Sequence, residues 1–167
     1  ETAWELNLSR NVIAVEHEAG SGEFVINKNN RRKAVTSSRN ALNGYQKGKC
    51  FFCFDIISIR QNSPNIAHVD HFFPYILKDK GFGPLVNGVW NLVLACPTCN
   101  GSGEKGAKVP SQTLVKRLHR RNEYLIGSNH PLKETIILQT GQLETARRDF
   151  ISAKFNFAYE SLLQIWE

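Results

Sequence analysis

The chain has 167 residues, of which 41% are hydrophobic and 22% charged, and its net charge is +6. This composition is typical of a soluble globular protein and excludes a chain that is disordered throughout. No apolar run approaches the roughly 20 residues that span a bilayer, and residues 1–10 lack the pattern of a signal peptide. Because the sequence contains no methionine, we expect it to be part of a longer protein.

The order of predicted elements indicates an α+β fold in three consecutive regions. Residues 1–45 are expected to contain short strands and a basic linker, residues 46–110 to contain two strands between paired cysteines, and residues 111–167 to be helical. We expect the three regions to form one compact unit, because the chain has the size of a single domain.

The strands of the first two regions are predicted from alternating apolar residues and from turn residues. Two largely apolar segments, residues 11–15 and 24–26, flank a Gly-Ser-Gly turn at residues 20–22, which favours a hairpin. Residues 37–45 begin with serines suited to cap a short helix. Residues 66–74 alternate as a strand does and end at a proline, and residues 90–95 form a second predicted strand that runs into the second cysteine pair.

The third region is predicted to be helical because its apolar residues recur near period 3.6. An amphipathic helix is expected to begin at Ser111, a second piece to cover residues 131–139, and a long helix to cover residues 142–166. The apolar stripe of the long helix, from Leu143 to Ile165, is expected to face the core or a docking partner. A homodimer through this helix, or further domains of the same chain, are the candidate protein partners.

Basic residues are concentrated in two windows of the sequence. Residues 24–54 contain seven lysines and arginines, residues 105–121 contain six, and neither window contains an acid; together they carry +13 and the rest of the chain −7. The windows are either solvated surfaces or surfaces that grip a phosphate backbone. On the second interpretation we assign nucleic-acid binding to seven of these residues: Lys47, Lys49, Lys105, Lys108, Arg117, Arg120 and Arg121.

Four cysteines form two pairs with the same spacing, Cys50–Cys53 and Cys96–Cys99. A two-residue spacer lets a tight turn direct both thiolates at one metal, and two such turns complete a tetrahedron. The spacing therefore predicts a structural zinc, whose four sulfur ligands leave no open position for chemistry. A disulfide or a redox pair is the competing interpretation, but it explains two matched pairs less well.

The segment between the cysteine pairs contains the string VDHFFP at residues 69–74, and the string NLVLACPTCN at residues 91–100 follows it. In this order, with Lys105 and a glycine downstream, the motifs resemble the HNH endonucleases with a four-cysteine zinc, in the variant that ends in asparagine. The resemblance covers residues 46–110. It implies the ββα-metal fold, in which a strand hairpin and a helix surround one divalent cation.

The resemblance also implies a role for each motif residue. Asp70 and Asn100 would bind Mg²⁺ or Mn²⁺, His71 would be the general base that activates water, and Asn91 would orient the His71 ring or fix the loop. Neighbouring residues of a regular strand point to opposite faces, so local twist or a bulge is expected to bring Asp70 and His71 to one site. His68, on the same strand face as Asp70, would support the site, contact phosphate or be plain surface.

Each motif residue also has a structural interpretation. The Asp70–His71 pair would then be an ordinary strand end, Asn91 would cap a turn, and Asn100 would cap a helix. Lys105 follows Asn100 by five residues, where the family places a lysine after three or four. The two glycines in between each disfavour a helix by roughly 1 kcal/mol relative to alanine.

The sequence thus predicts a metal-dependent endonuclease, a hydrolase of DNA phosphodiester bonds, from a restriction, phage or antiviral system. The expected cofactors are a structural Zn²⁺ and a catalytic Mg²⁺ or Mn²⁺, and the expected partner is double-stranded DNA rather than a membrane. The resemblance places the protein in the cytoplasm of a prokaryotic cell or in a phage-infected one. The alternatives are a non-catalytic zinc-stabilised module that binds nucleic acid and, outside nucleic acids, a redox protein.

Overall fold

The computed structural model describes residues 39–101 and 103–167, which form a mixed arrangement of helices and small sheets. The α+β class predicted from the sequence is therefore supported. The predicted N-terminal hairpin, the basic linker that follows it and the serine caps before residue 39 lie outside the described residues.

Helices and strands follow one another in an order close to the predicted one. Short 3-10 turns at Tyr75–Lys78, Gly83–Asn87 and Val89–Asn91 connect the two strands of the central hairpin. The regular elements are α1 (39–46), β1 (His68–His71), β2 (Leu92–Ala95), β3 (Val109–Pro110), α2 (Gln112–Gly127), α3 (Lys133–Thr140), α4 (Glu144–Leu162) and β4 (Ile165–Trp166).

The central hairpin pairs β1 with β2 in antiparallel register, with Asp70 opposite Val93 and His71 opposite Leu92. The pairing runs one to one along all four residues of β1 and contains no bulge. All four residues of β2 are buried, which fits its continuous apolar sequence, whereas β1 is half-buried along its length. The hairpin therefore presents β1, with its polar side chains, at the edge of the core.

The outer edge of β2 is closed by a side chain rather than by a third strand. Gln46, at the end of α1, accepts a hydrogen bond from Leu94 N at 2.8 Å and donates one to Leu94 O at 2.7 Å. Phe51 N also donates to Leu94 O, at 2.8 Å. Because buried backbone groups must be paired, these bonds fix the first cysteine turn against the hairpin.

A cluster of aromatic rings fills the space beneath the hairpin. Phe72 packs edge-on against Phe51 and Phe73, with ring centroids 5.8 and 5.0 Å apart, and Phe73 lies 5.9 Å from Trp90. Trp90 in turn meets Phe150 of α4 edge-on at 4.9 Å. Edge-to-face pairs of this kind hold the strands and the C-terminal helix in one core.

Helix α2 begins after Ser111 as predicted, but its basic face differs from the prediction at Arg121. The Arg121 side chain is only 2% exposed, and it donates to Trp90 O at 3.1 Å and to Leu92 O at 2.9 Å. Burial lowers its pKa to about 9. Carbonyls at the junction of a 3-10 turn and a strand lack ladder partners, and Arg121 supplies donors to them; it is not a surface residue.

The predicted helix over 142–166 is too long at both ends. Helix α4 ends at Leu162, Leu163 adopts a left-handed conformation with φ 53°, and the chain then pairs as β4, parallel to β3. Trp166 thereby reaches Phe52, with ring centroids 5.0 Å apart. The aromatic contact and the backbone pairing outweigh continued helix formation at this end.

The buried face of α4 is also rotated from the predicted stripe. Leu143 is 69% exposed. The buried side chains are Arg147, Ile151, Phe155 and Ala158, whereas Phe150, Phe157 and Leu162 of the predicted stripe pack against the core while only partly buried. Arg147 turns inward because Glu123 of α2 accepts hydrogen bonds from Nε and Nη2, and these bonds raise the pKa of Arg147. An interhelical ion pair is therefore part of the C-terminal core.

We expect Gly88→Ala to lower the free energy of unfolding by about 1–3 kcal/mol, because an added Cβ would clash with the Trp90 ring. That ring cannot withdraw easily, since it is fully buried and its Nε1 donates to Leu85 O. Gly127→Ala is the matched control: a Cβ there meets nothing within 4 Å, so stability should stay within about 1 kcal/mol or rise. Urea denaturation of both variants measures this, and equal stabilities would contradict the prediction.

Candidate functional site

The four cysteines converge on one point. All four Sγ atoms, those of Cys50, Cys53, Cys96 and Cys99, lie within 4.8 Å of one another. The Sγ atoms of Cys53 and Cys96 are 3.7 Å apart. A tetrahedral zinc with Zn–S bonds of about 2.3 Å requires sulfur separations of about 3.8 Å. A disulfide would require about 2.05 Å. The cluster could therefore hold a zinc ion, as the spacing predicted.

Local backbone geometry explains why both cysteine turns point inward. In the first turn Cys50 N donates to Asp55 O at 2.8 Å, and Phe54 takes a left-handed φ of 66°. In the second turn Cys99 N donates to Cys96 Sγ at 3.3 Å, and Cys96 N donates to Cys50 Sγ at 3.3 Å. Amide groups directed at sulfur favour the thiolate form that a metal requires.

The thiols differ in acidity. Burial raises the pKa of Cys53 to about 12, and burial together with the neighbouring Cys96 raises the pKa of Cys99. Burial acts in the same direction on Cys96, but the hydrogen bond from the Cys99 amide and those from the other thiols outweigh it and lower its pKa.

Arg117 ties the first cysteine turn to helix α2. Its Nη1 donates to Phe51 O at 2.8 Å and to Phe52 O at 2.9 Å, and its guanidinium lies 4.3 Å from the centroid of the exposed Phe54 ring. The predicted phosphate contact at Arg117 must therefore compete with contacts inside the protein.

The second cluster of polar residues lies on β1, at the face that carries Asp70. Lys105 Nζ is 2.9 Å from Asp70 Oδ2, and the lysine is only 2% exposed. The same ammonium donates to His71 O at 2.7 Å. The sequence predicts Lys105 to be a surface contact for nucleic acid. In the structure it is instead a buried partner of the half-buried Asp70, whose Oδ2 atom is buried and requires a counter-charge.

The ring of His71 is oriented by Asn87, which the sequence did not single out. Asn87 Oδ1 lies 2.9 Å from His71 Nε2. Because an amide oxygen only accepts, Nε2 is the nitrogen that donates in this bond. Tyr75, 43% exposed, places its ring 5.3 Å from the imidazole.

Asn91 is completely buried and fixes the loop that follows β1. Its Oδ1 accepts from Phe73 N at 2.8 Å, and its Nδ2 donates to Phe73 O at 3.1 Å and to Val86 O at 2.8 Å. Of the two roles that the resemblance implied for Asn91, these bonds correspond to the second: it holds the loop, while the bond to the His71 ring comes from Asn87.

Asn100 lies beside His68. Its Nδ2 donates to His68 Nδ1 at 3.0 Å, so its amide nitrogen is engaged and its oxygen is the atom that a hard cation would require. Residues 68 and 70 share one face of β1, which puts the Asn100 amide on the Asp70 side of the strand. His68 thus supports a predicted site residue directly.

Among the described residues after Asn100, no helix begins before Gln112. Residues 97–100 and 103–107 are turns. Gly106 takes a left-handed φ of 47° there, a conformation that suits glycine and interrupts a helix. The turns bring Lys105 back to β1.

The remaining predicted nucleic-acid contacts stay predictions. Lys47, Lys49 and Arg120 are exposed and Lys108 is half-buried, whereas Lys105 and Arg121 are buried and are removed from the predicted binding surface. Within the described residues, no helix combines the length and the apolar character needed to cross a bilayer.

Comparison of the chain with protein-family models, with curated proteins and with solved structures found no match.

Purified protein should contain about one zinc per chain, because the four sulfurs are spaced for one tetrahedral ion. Cys99→Ser should lose that zinc and about 3 kcal/mol or more of stability, since metal binding at such sites is coupled to folding. Elemental analysis and urea denaturation measure both effects. A protein that is equally stable after zinc is removed with a chelator would contradict the prediction.

Asn91→Ala should lower the free energy of unfolding by about 3 kcal/mol or more, because it removes three buried hydrogen bonds and leaves backbone groups unpaired. Asn156→Ala, at an exposed position of α4, is the matched control and should change stability by less than about 0.5 kcal/mol. Similar losses in the two variants would rule out the structural role of Asn91.

Proposed function

We propose that this protein is a metal-dependent endonuclease that hydrolyses phosphodiester bonds of DNA. One observation carries the proposal: the Asp70–His71 pair lies at the end of a hairpin strand, where Asn87 bonds to the His71 ring, Lys105 contacts Asp70, and Asn100 bonds to His68 on the Asp70 face of the same strand. The motif order that resembles the HNH endonucleases adds to this support. The comparisons with known proteins neither add to it nor oppose it.

The residues on the Asp70 face fit a divalent cation. Asp70 Oδ2 is buried and receives no hydrogen bond from any described residue, although Lys105 lies within ion-pair distance. Asp70 and Asn100 offer a carboxylate and an amide oxygen, which are the ligand atoms of Mg²⁺ and Mn²⁺. A cation bound there would supply Lewis-acid stabilisation of charge on the phosphate and the leaving oxygen.

His71 is the proposed general base. Asn87 accepts from Nε2, which in a neutral ring leaves the lone pair on Nδ1, and a neutral imidazole can take a proton from water near neutral pH. Asn91 affects His71 indirectly: it binds the backbone of Phe73 and thereby fixes the direction of the chain immediately after His71. A base held in one orientation lowers the activation free energy more than a mobile one, because aligning the base with the attacking water contributes to that free energy.

The assignment of the ββα-metal fold is part of this proposal. The two strands of a ββα-metal unit would be β1 and β2, and the turns from Asn100 to Lys105 would replace its helix. Substrate phosphates would meet the exposed basic residues Lys47, Lys49 and Arg120 and the half-buried Lys108. The zinc cluster would hold the ends of this unit together without taking part in the reaction.

Two observations favour a second candidate, a non-catalytic zinc module that binds nucleic acid. Lys105 already neutralises Asp70, and Asn91 is wholly occupied by the loop. In that case the polar residues around Asp70 would stabilise the fold, and only the exposed basic residues would bind nucleic acid.

The wild-type chain should nick plasmid DNA with Mg²⁺ or Mn²⁺ and stop on addition of EDTA. His71→Ala should reduce the rate by about 10²–10⁴-fold, because it removes the base, and Asn87→Ala should reduce it by about ten-fold through loss of ring orientation. His119→Ala, on α2, should cut at the wild-type rate. A filter-binding assay should show DNA binding retained in all three variants.

Two outcomes separate the alternatives. Full activity in His71→Ala would eliminate His71 as the base. DNA binding that weakens with salt, without cleavage by the wild-type chain in any divalent metal, would establish the non-catalytic module instead.

A further inference from the structure

The Lys105 side chain is buried although neither its length nor its charge favours burial. Lysine is almost never fully buried unless its ammonium is paired, yet Lys105 is only 2% exposed. It reaches this position from the turn over residues 103–107. A lysine in a glycine-rich turn can stay in solvent with little change in backbone, so the burial calls for a specific attraction.

The attraction comes from the Asp70–His71 motif. The ammonium lies 2.9 Å from Asp70 Oδ2 and donates to His71 O at 2.7 Å, and it lies 5.9 Å from the centroid of the Phe52 ring. All three groups are electron-rich. The site therefore attracts a cation, and in this structure the cation is supplied by the chain itself.

We propose that Lys105 is a positioning residue of the cation site. Its ammonium contacts Asp70 Oδ2 and His71 O from the buried side, and it thereby fixes the orientation of the carboxylate relative to β1. This inference rests on the proposed function, because it concerns the same Asp70. Lys105 and a bound divalent cation would share one carboxylate. The lysine therefore stabilises the protein without a divalent cation and weakens the binding of that cation.

Two opposite effects follow from removing the ammonium. Asp70 keeps its buried oxygen but loses its counter-charge, so the protein without divalent cation becomes less stable. The repulsion between lysine and cation also disappears, so the cation binds more tightly. A lysine that merely anchored the turn would produce the first effect without the second.

The experiment titrates Mn²⁺ into the full, zinc-loaded chain and follows binding by calorimetry and melting temperature by circular dichroism. The variants are Lys105→Met, Asp70→Asn and the double variant, with Lys80→Met, an exposed lysine outside the basic windows, as the matched charge control. Lys105→Met should melt at a lower temperature without Mn²⁺ and bind Mn²⁺ about ten-fold more tightly. Lys80→Met should match the wild type in both measurements.

The double variant tests the pairing itself. Lys105→Met should cost less stability in the Asp70→Asn background than in the wild type, because the charge that the lysine neutralises is then absent. Should Lys105→Met alone be unfolded, Mn²⁺ should restore its fold, and it should not restore a variant that also carries Asp70→Asn. Unfolding that saturating Mn²⁺ does not reverse would overturn the inference.

The remaining outcomes separate this inference from the proposed function. If Asp70→Asn loses Mn²⁺ binding but Lys105→Met binds Mn²⁺ no more tightly than the wild type, Lys105 is structural and the cation site stands. If Asp70→Asn binds Mn²⁺ as the wild type does, Asp70 is not a cation ligand and both proposals fail.

Discussion

The pairing of buried backbone groups around strand β2 is the constraint on which the rest of the structure depends. The strand is buried along its whole length, and among the described strands it pairs with β1 alone. Other polar groups of the strand are therefore bound by side chains and by Phe51 N. Gln46 from α1 bonds to both polar groups of Leu94, and Arg121 from α2 bonds to Leu92 O. These bonds attach two helices to one short hairpin. Because all four residues of β1 pair with β2, these bonds also help to determine where the Asp70–His71 pair lies.

Buried charges in this protein serve as fixed connections between segments that are distant in sequence. Arg121 joins α2 to the loop before β2, Arg147 joins α4 to Glu123, and Lys105 joins the turn after the second cysteine pair to Asp70. Each would be costly to bury alone, so each is stable only when its partners are in place. The same principle applies to the proposed site: Asp70 already has Lys105 as its counter-charge, and a divalent cation bound there would have to share the carboxylate with the lysine.

Several features could be predicted from the sequence because they depend on local spacing. The two CxxC pairs specified four converging sulfurs, and the alternation before Pro74 and the apolar run up to Cys96 specified two strands. Other features could not be predicted. The role of Asn87 has no local signal, because an asparagine in a Gly- and Val-rich loop resembles any turn residue. The burial of Arg121 and Lys105 could not be predicted, because charged side chains are usually exposed. Each is buried only because its hydrogen-bond or ion-pair partner lies in a distant part of the sequence.

The sequence by itself determined the α+β class, the four-cysteine cluster and the candidate motif residues, since each follows from residue types at short, fixed separations. The tertiary structure alone decided which asparagine orients His71, which basic residues remain on the surface, and where helix α4 ends. These outcomes depend on hydrogen bonds and ion pairs between segments tens of residues apart, such as Lys105 with Asp70 and Trp166 with Phe52. Partners that are distant in sequence change the free energy of burying a charge or of ending a helix. That contribution cannot be predicted from the residues near the charge or the helix end.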